Sequence, residues 1–139
     1  MEVKRLFDFL TEQVEKHPDA PFVSSKVNKQ WKTYSFTQTH ENSNRVSQLL
    51  INLGLKKDDK IAIISANRPE WNFTDLGSQQ IGLINVPMYP TIAEKDYEFI
   101  FNDAGIQYAF VGDESIYAKV RPLMGRVVSL KGIYIFDKV

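Results

Sequence analysis

A doubly wound α/β fold is what this 139-residue sequence predicts: a largely parallel sheet with flanking helices, preceded by an N-terminal helix and a β-hairpin. Three observations predict it. Apolar runs of strand length recur at Ile61–Ile64, Leu83–Met88, Tyr108–Val111 and Ile133–Phe136. Their starts lie about 22 to 25 residues apart, room for one strand and one crossover helix. The runs are continuously apolar, as strands covered on both faces are, and helix-start signals separate them.

The opening MEVKRLFDFLTEQVEKH reads as an amphipathic helix with Val3, Leu6, Leu10 and Val14 near one face. His17-Pro18-Asp19-Ala20-Pro21 ends it. Phe22–Val27 and Trp31–Tyr34 read as two strands, joined by a turn of about three residues, Asn28-Lys29-Gln30. Ser35 and Gln38 have capping-box spacing and open a helix to about Leu53, where Gly54 stops it. Asn67 is expected to cap the next helix, with Pro69 in its first turn and Glu70 three residues on. Thr91 with Glu94 is expected to cap a further helix, and Asp113 the last. Tyr97, Ile100, Phe101 and Ala104 form one apolar helical face; Ile116, Val120, Leu123 and Met124 form another.

Composition narrows the function classes. At 43% hydrophobic and 24% charged residues, the chain is expected to be a single globular domain over residues 1–139. Seventeen basic residues balance seventeen acidic ones, so no net field draws the chain to nucleic acid or anionic membrane. With no cysteine, disulfides, thiolate zinc sites and cysteine nucleophiles are excluded. No apolar stretch approaches the roughly 18 residues of a membrane span.

The seven glycines, at 54, 77, 82, 105, 112, 125 and 132, never cluster, which excludes the glycine-rich dinucleotide and Walker phosphate loops. His17 and His40 fall on a helix end and a helix interior; Ser65 and Ser78 have no marked base partner. Asp58-Asp59, after Lys56-Lys57, reads as a solvated turn. No catalytic residue and no metal ligand is assigned. Two polar clusters carry both a capping reading and a ligand reading. In Asn67-Arg68-Pro69-Glu70-Trp71 the helix start and Arg68 could face a carboxylate or phosphate. Tyr89-Pro90-Thr91 leaves a strand at the end where open α/β sheets bind ligands. The candidate ligand contacts are therefore Asn67, Arg68, Tyr89 and Thr91.

Several segments in order carry a family resemblance. Trp31-Lys32-Thr33-Tyr34-Ser35-Phe36 resembles the early "(W/L)TY-x-(E/D)L" segment of the AMP-forming, adenylate-forming superfamily, which includes acyl-CoA synthetases, luciferases and peptide-synthetase adenylation domains; Phe36-Thr37-Gln38 departs from the usual acidic-leucine ending. Leu53-Gly54-Leu55 with Asp58-Asp59-Lys60-Ile61-Ala62-Ile63 resembles its "LGv-kkGD-rVai", with Asp58 where glycine is common. Gln80-Ile81-Gly82-Leu83-Ile84-Asn85-Val86-Pro87-Met88-Tyr89-Pro90 resembles its "aGav-nVPlyP" segment. Asn67–Trp71 and Asn85–Thr91 are most similar to long-chain fatty acid–CoA ligases.

The resemblance implies a parent reaction in which a fatty acid and Mg-ATP give an acyl-adenylate, from which coenzyme A displaces AMP. The family's Ser/Thr/Gly-rich loop ending in Pro-Lys, its adenine- and ribose-contacting motifs and its adenylation lysine have no counterpart here. The expectation is thus a structural N-terminal lobe of a longer ligase, inactive by itself. ATP, Mg and coenzyme A are implied for the parent, and none is expected to be bound by this portion. Its partners would be the rest of its own chain and the fatty acid, with self-association through exposed apolar surface. A cytoplasmic location is expected, with peripheral membrane contact left open. The alternatives are a stand-alone small α/β binding module of flavodoxin or receiver type, an assembly unit, or an adenylate-forming enzyme for a different carboxylate.

Overall fold

A computed structural model describes residues 2–138. Their packing divides into two compact units: residues 2–55 with 68–81, and residues 56–67 with 82–138.

The first unit begins with helix α1 (Asp8–Lys16), the antiparallel pair β1 (Pro21–Val27) and β2 (Gln30–Ser35), and helix α2 (Phe36–Asn52); helix α3 (Pro69–Gln80) packs along α2. The expected first helix starts later than its periodicity suggested. Residues 2–7 precede it because the Asp8 carboxylate folds them back, accepting from the backbone N–H of Lys4 (3.1 Å) and Arg5 (2.9 Å) and from the Arg5 guanidinium. Val3 and Leu6 therefore lie outside the helix, and Leu6 is exposed. The hairpin turn is also shorter than expected. Asn28 and Lys29 both have positive φ (50° and 66°), the turn geometry that follows strand twist, so Gln30 pairs with Val27 as strand.

The capping box is present: Gln38 N–H donates to Ser35 Oγ at 3.2 Å, and Ser35 N–H donates to Gln38 Oε1 at 3.0 Å. Gly54, at φ +82°, leaves the helix in a conformation that a side chain would strain. Small residues let α2 and α3 approach closely. Ser47 Oγ donates to the Gly77 carbonyl at 2.7 Å, and Gln80 Nε2 donates to Ser47 Oγ at 3.0 Å. The Tyr34 ring meets Phe73 edge-on and fastens β2 to α3.

The second unit is the parallel sheet: β3 (Lys60–Ile64), β4 (Ile84–Met88), helix α4 (Glu94–Ala104), β5 (Ile106–Val111), helix α5 (Glu114–Val120) with a 3-10 turn (Arg121–Leu123), and β6 (Gly132–Ile135). The spatial order is β4-β3-β5-β6, all parallel, as the strand–helix alternation predicts. Ala62, Ile64, Ala109 and Val111 point to one sheet face, where Tyr97 and Phe101 of α4 and Ile116 and Val120 of α5 complete a core. The opposite face of β5 and β6 carries an aromatic ladder, with Phe110 stacked on Tyr134 at 5.4 Å.

Asp113 caps α5 as expected, accepting from Ile116 N–H at 2.9 Å. Two other expected caps do not form. Arg68, not Asn67, occupies the cap position of α3, because a residue preceding proline is driven extended (φ −161°, ψ 158°) and the helix starts at Pro69. Ala93, not Thr91, precedes α4: a turn over Tyr89–Ile92 absorbs Pro90 and Thr91, so Glu94 is the first helical residue. The α5 face is cut short in the same way, as Pro122 converts the chain to 3-10 and leaves Met124 exposed.

Candidate functional site

Chain order and spatial order disagree at β3. The chain leaves β3 toward β4 on one side, then returns past it to β5 and β6 on the other. In an open parallel sheet this reversal parts the loops beyond the strand carboxyl ends and opens the crevice where ligands bind. The reversal here lies between β3 and β5.

The register fixes what meets there. Ile64 is level with Met88 on one side and Val111 on the other, so Ser65, Tyr89 and Gly112 emerge from three adjacent strands at one height. Gly112 N–H donates to the Ile64 carbonyl at 2.9 Å. A Cβ at Gly112 would stand 2.7 Å from Ser65 Oγ and 3.1 Å from Ser65 Cβ, so glycine is required for this approach. Ser65 is buried, and its hydroxyl donates to the Ala66 carbonyl at 2.8 Å. The strand exits are thereby locked together.

Three of the four candidate residues share this edge. Asn67 is exposed on the loop after β3; Tyr89 and Thr91 are exposed after β4. The Tyr89 ring stands out in solvent at 79% exposure, while its carbonyl accepts from the buried Tyr97 hydroxyl at 2.7 Å. Burial pushes the Tyr97 phenol above its usual range, which keeps it a proton donor to that carbonyl. Lys119 Nζ reaches the Pro90 carbonyl at 3.4 Å. Arg68 belongs to the first unit. Its guanidinium donates to both Glu70 carboxylate oxygens, at 2.9 and 3.4 Å, so a carboxylate of this chain already engages its charge. Burial opposes ionisation of Glu70. The Arg68 hydrogen bonds, the Glu70 backbone N–H and the Arg68 and Lys32 charges outweigh it, and the carboxyl lies below its usual range.

These donors do not fit Mg-ATP by themselves. Among the described residues no three acidic or histidine side chains group as metal ligands. The cation at the sheet edge, Lys119, sits on a backbone carbonyl, and α5 is too short to present a developed dipole. What the edge offers is a rigid wall of strand exits with exposed Asn67, Tyr89 and Thr91. Sequence reasoning missed the Ser65–Gly112 junction. The available signal was that each residue directly follows an apolar run. A separate hollow of about 290 Å³ in the first unit is lined by Leu6, Phe9, Phe22, Phe36 and Leu76. Asp75 on its wall makes it a poor seat for a fatty acid carboxylate.

The family model described as AMP-binding enzyme matches residues 10–139. The chain belongs to that family. Arabidopsis thaliana long chain acyl-CoA synthetase 3 is 29% identical over 140 residues, covering 96% of this chain and 21% of that protein. Fatty acyl-CoA synthetase A of Dictyostelium discoideum is 34% identical over 76 residues, 55% of this chain and 11% of that protein. Among solved structures, a fatty acyl CoA synthetase of Mycobacterium tuberculosis superposes with a TM-score of 0.80 at 19% identity, over 94% of this chain and 26% of that one. The coronafacic acid ligase of Pectobacterium brasiliense gives 0.84 at 19% identity, over 96% of this chain and 25% of that one. At these identities the structural likeness shows the fold. The chain spans about a fifth or less of the length of the curated relatives it matches.

Proposed function

We propose that this chain is the N-terminal lobe of a long-chain fatty acid–CoA ligase, a subdomain of a larger adenylate-forming enzyme. The observation that carries the reading is that relatives named as long-chain ligases align along nearly the whole chain, up to 96% of it. The whole enzyme would convert a fatty acid and ATP to an acyl-adenylate and pyrophosphate, then pass the acyl group to coenzyme A. Activation is needed because a free carboxylate has no leaving group. Mg and the nucleotide would be held chiefly by other parts of the polypeptide, since the donor set at this sheet edge does not fit them. The lobe would supply a wall of strand exits whose exposed Asn67, Tyr89 and Thr91 contact ligand or neighbouring chain; Arg68 is a separate candidate contact on the first unit. A cytoplasmic setting belongs to this reading.

The test is ATP–pyrophosphate exchange with a long-chain fatty acid. The 139-residue chain alone is expected to give no exchange, and the complete gene product is expected to give exchange and form acyl-CoA. Exchange by the chain alone would refute the division of labour. A complete product that activates an amino acid or aryl acid in preference to fatty acids would refute the substrate class.

A further inference from the structure

The hairpin of the first unit carries a surface that neither the fold nor the ligase reading uses. Cross-strand pairing puts Ser24 with Thr33 and Lys26 with Trp31, and the 2.8 Å bond between the Ser24 and Thr33 hydroxyls confirms that these pairs share one face. All four residues are exposed, and Trp31 keeps 70% of its surface in solvent. The other face is fastened inward through Tyr34 and Phe73, so the outward face is held rigidly. Lys26 Nζ lies 5.8 Å from the Trp31 ring. Lys29 stands in the turn, while Lys32, paired with Ser25, lies on the opposite face with its Nζ 5.0 Å from the Tyr34 ring. From Ala20 to His40 there is no acidic residue, although the chain as a whole is neutral. Arg126, by contrast, is offset by Glu94 and Glu98.

An exposed indole beside Lys26 and Lys29 at a tight turn matches the interface of an anionic bilayer. The indole favours the headgroup level, and lysine stems extend their charge to lipid phosphate. We infer that the hairpin tip, through Trp31 with Lys26 and Lys29, docks this chain on anionic phospholipid. This surface is independent of the ligase reading, because binding is measured without fatty acid, ATP or coenzyme A. Each lysine near an anionic surface strengthens partitioning about fivefold, so the two together contribute about twenty-five-fold.

Vesicle co-sedimentation of the 139-residue chain tests it, with phosphatidylcholine alone and with phosphatidylserine added. Binding is expected only with phosphatidylserine and should weaken with salt. Lys26→Gln/Lys29→Gln should lower it about twenty-five-fold. Brominated lipid should quench the tryptophan fluorescence of the parent and of Trp71→Phe, but not of Trp31→Ala; circular dichroism verifies that each variant is folded. Equal binding to neutral vesicles, absence of binding by folded protein, or heparin-like charge binding without bromine quenching would each overturn the inference.

Discussion

Replacing Gly77 by alanine should destabilise the chain, although alanine is the better helix former. Gly77 lies in the last turns of α3, where an exposed glycine-to-alanine change would stabilise by about 1 kcal/mol. Here the added Cβ would fall 2.5 Å from the Ser43 carbonyl oxygen and 2.8 Å from Val46 Cβ, both on α2. The first neighbour is backbone inside a helix and cannot rotate away. Overpacking costs about 1–3 kcal/mol, and a backbone obstacle puts this site at about 3. Subtracting the propensity gain leaves a net loss of about 2 kcal/mol. If α3 slides to relieve the clash, the 2.7 Å bond from Ser47 to the Gly77 carbonyl is stretched, adding about 1 kcal/mol. Urea unfolding followed by circular dichroism measures the difference as a lower midpoint at unchanged slope. A Gly77→Ala midpoint equal to or above the parent's would show that the helices do not approach as closely as described.

Three further outcomes follow from the same geometry. Gly112→Ala should lose about 2 kcal/mol against Ser65, and adding Ser65→Gly should restore part of it; strict additivity in that double-mutant cycle would deny the contact. Asp58 holds φ +70°, so Asp58→Gly should be neutral to stabilising by up to about 1 kcal/mol, whereas Asp58→Ala should be less stable than the parent; the reverse ranking in thermal melts would refute the left-handed turn. Glu70 lies below its reference value of 4.5, so its stabilising contribution should be full above that pH and fade as pH falls through the lower folded-state value. Stability against pH for the parent and Glu70→Gln should therefore converge in acid, and parallel curves would count against the Arg68–Glu70 pairing.

Where a feature depends on atoms a few residues apart, it was legible in the chain. The Ser35–Gln38 capping box, the Asp113 cap and the glycine stop at Gly54 are each closed by bonds or torsions inside one turn, and each forms. The apolar runs likewise announced four strands and their parallel order, because a strand covered on both faces must be apolar throughout. Family kinship was legible too, and one departure from the family pattern, Asp58 in a glycine position, corresponds to a left-handed residue. The pattern misled where a neighbour outweighed it. Thr91 lost its cap to the turn over Tyr89–Ile92, and Asn67 lost its cap to the extended residue that Pro69 imposes.

Tertiary structure alone decided which strand exits stand together. Ser65 and Gly112 are 47 positions apart, and only the return of the chain past β3 brings them within a side chain's width. It also decided that Gly77 must lack a side chain and that Trp31 would face solvent beside Lys26. Local bonding energies are written in neighbouring residues, so the sequence by itself determined the elements, their order and the family. Close approaches depend on loop closure and on burial summed over the whole chain, and no window of sequence contains those quantities.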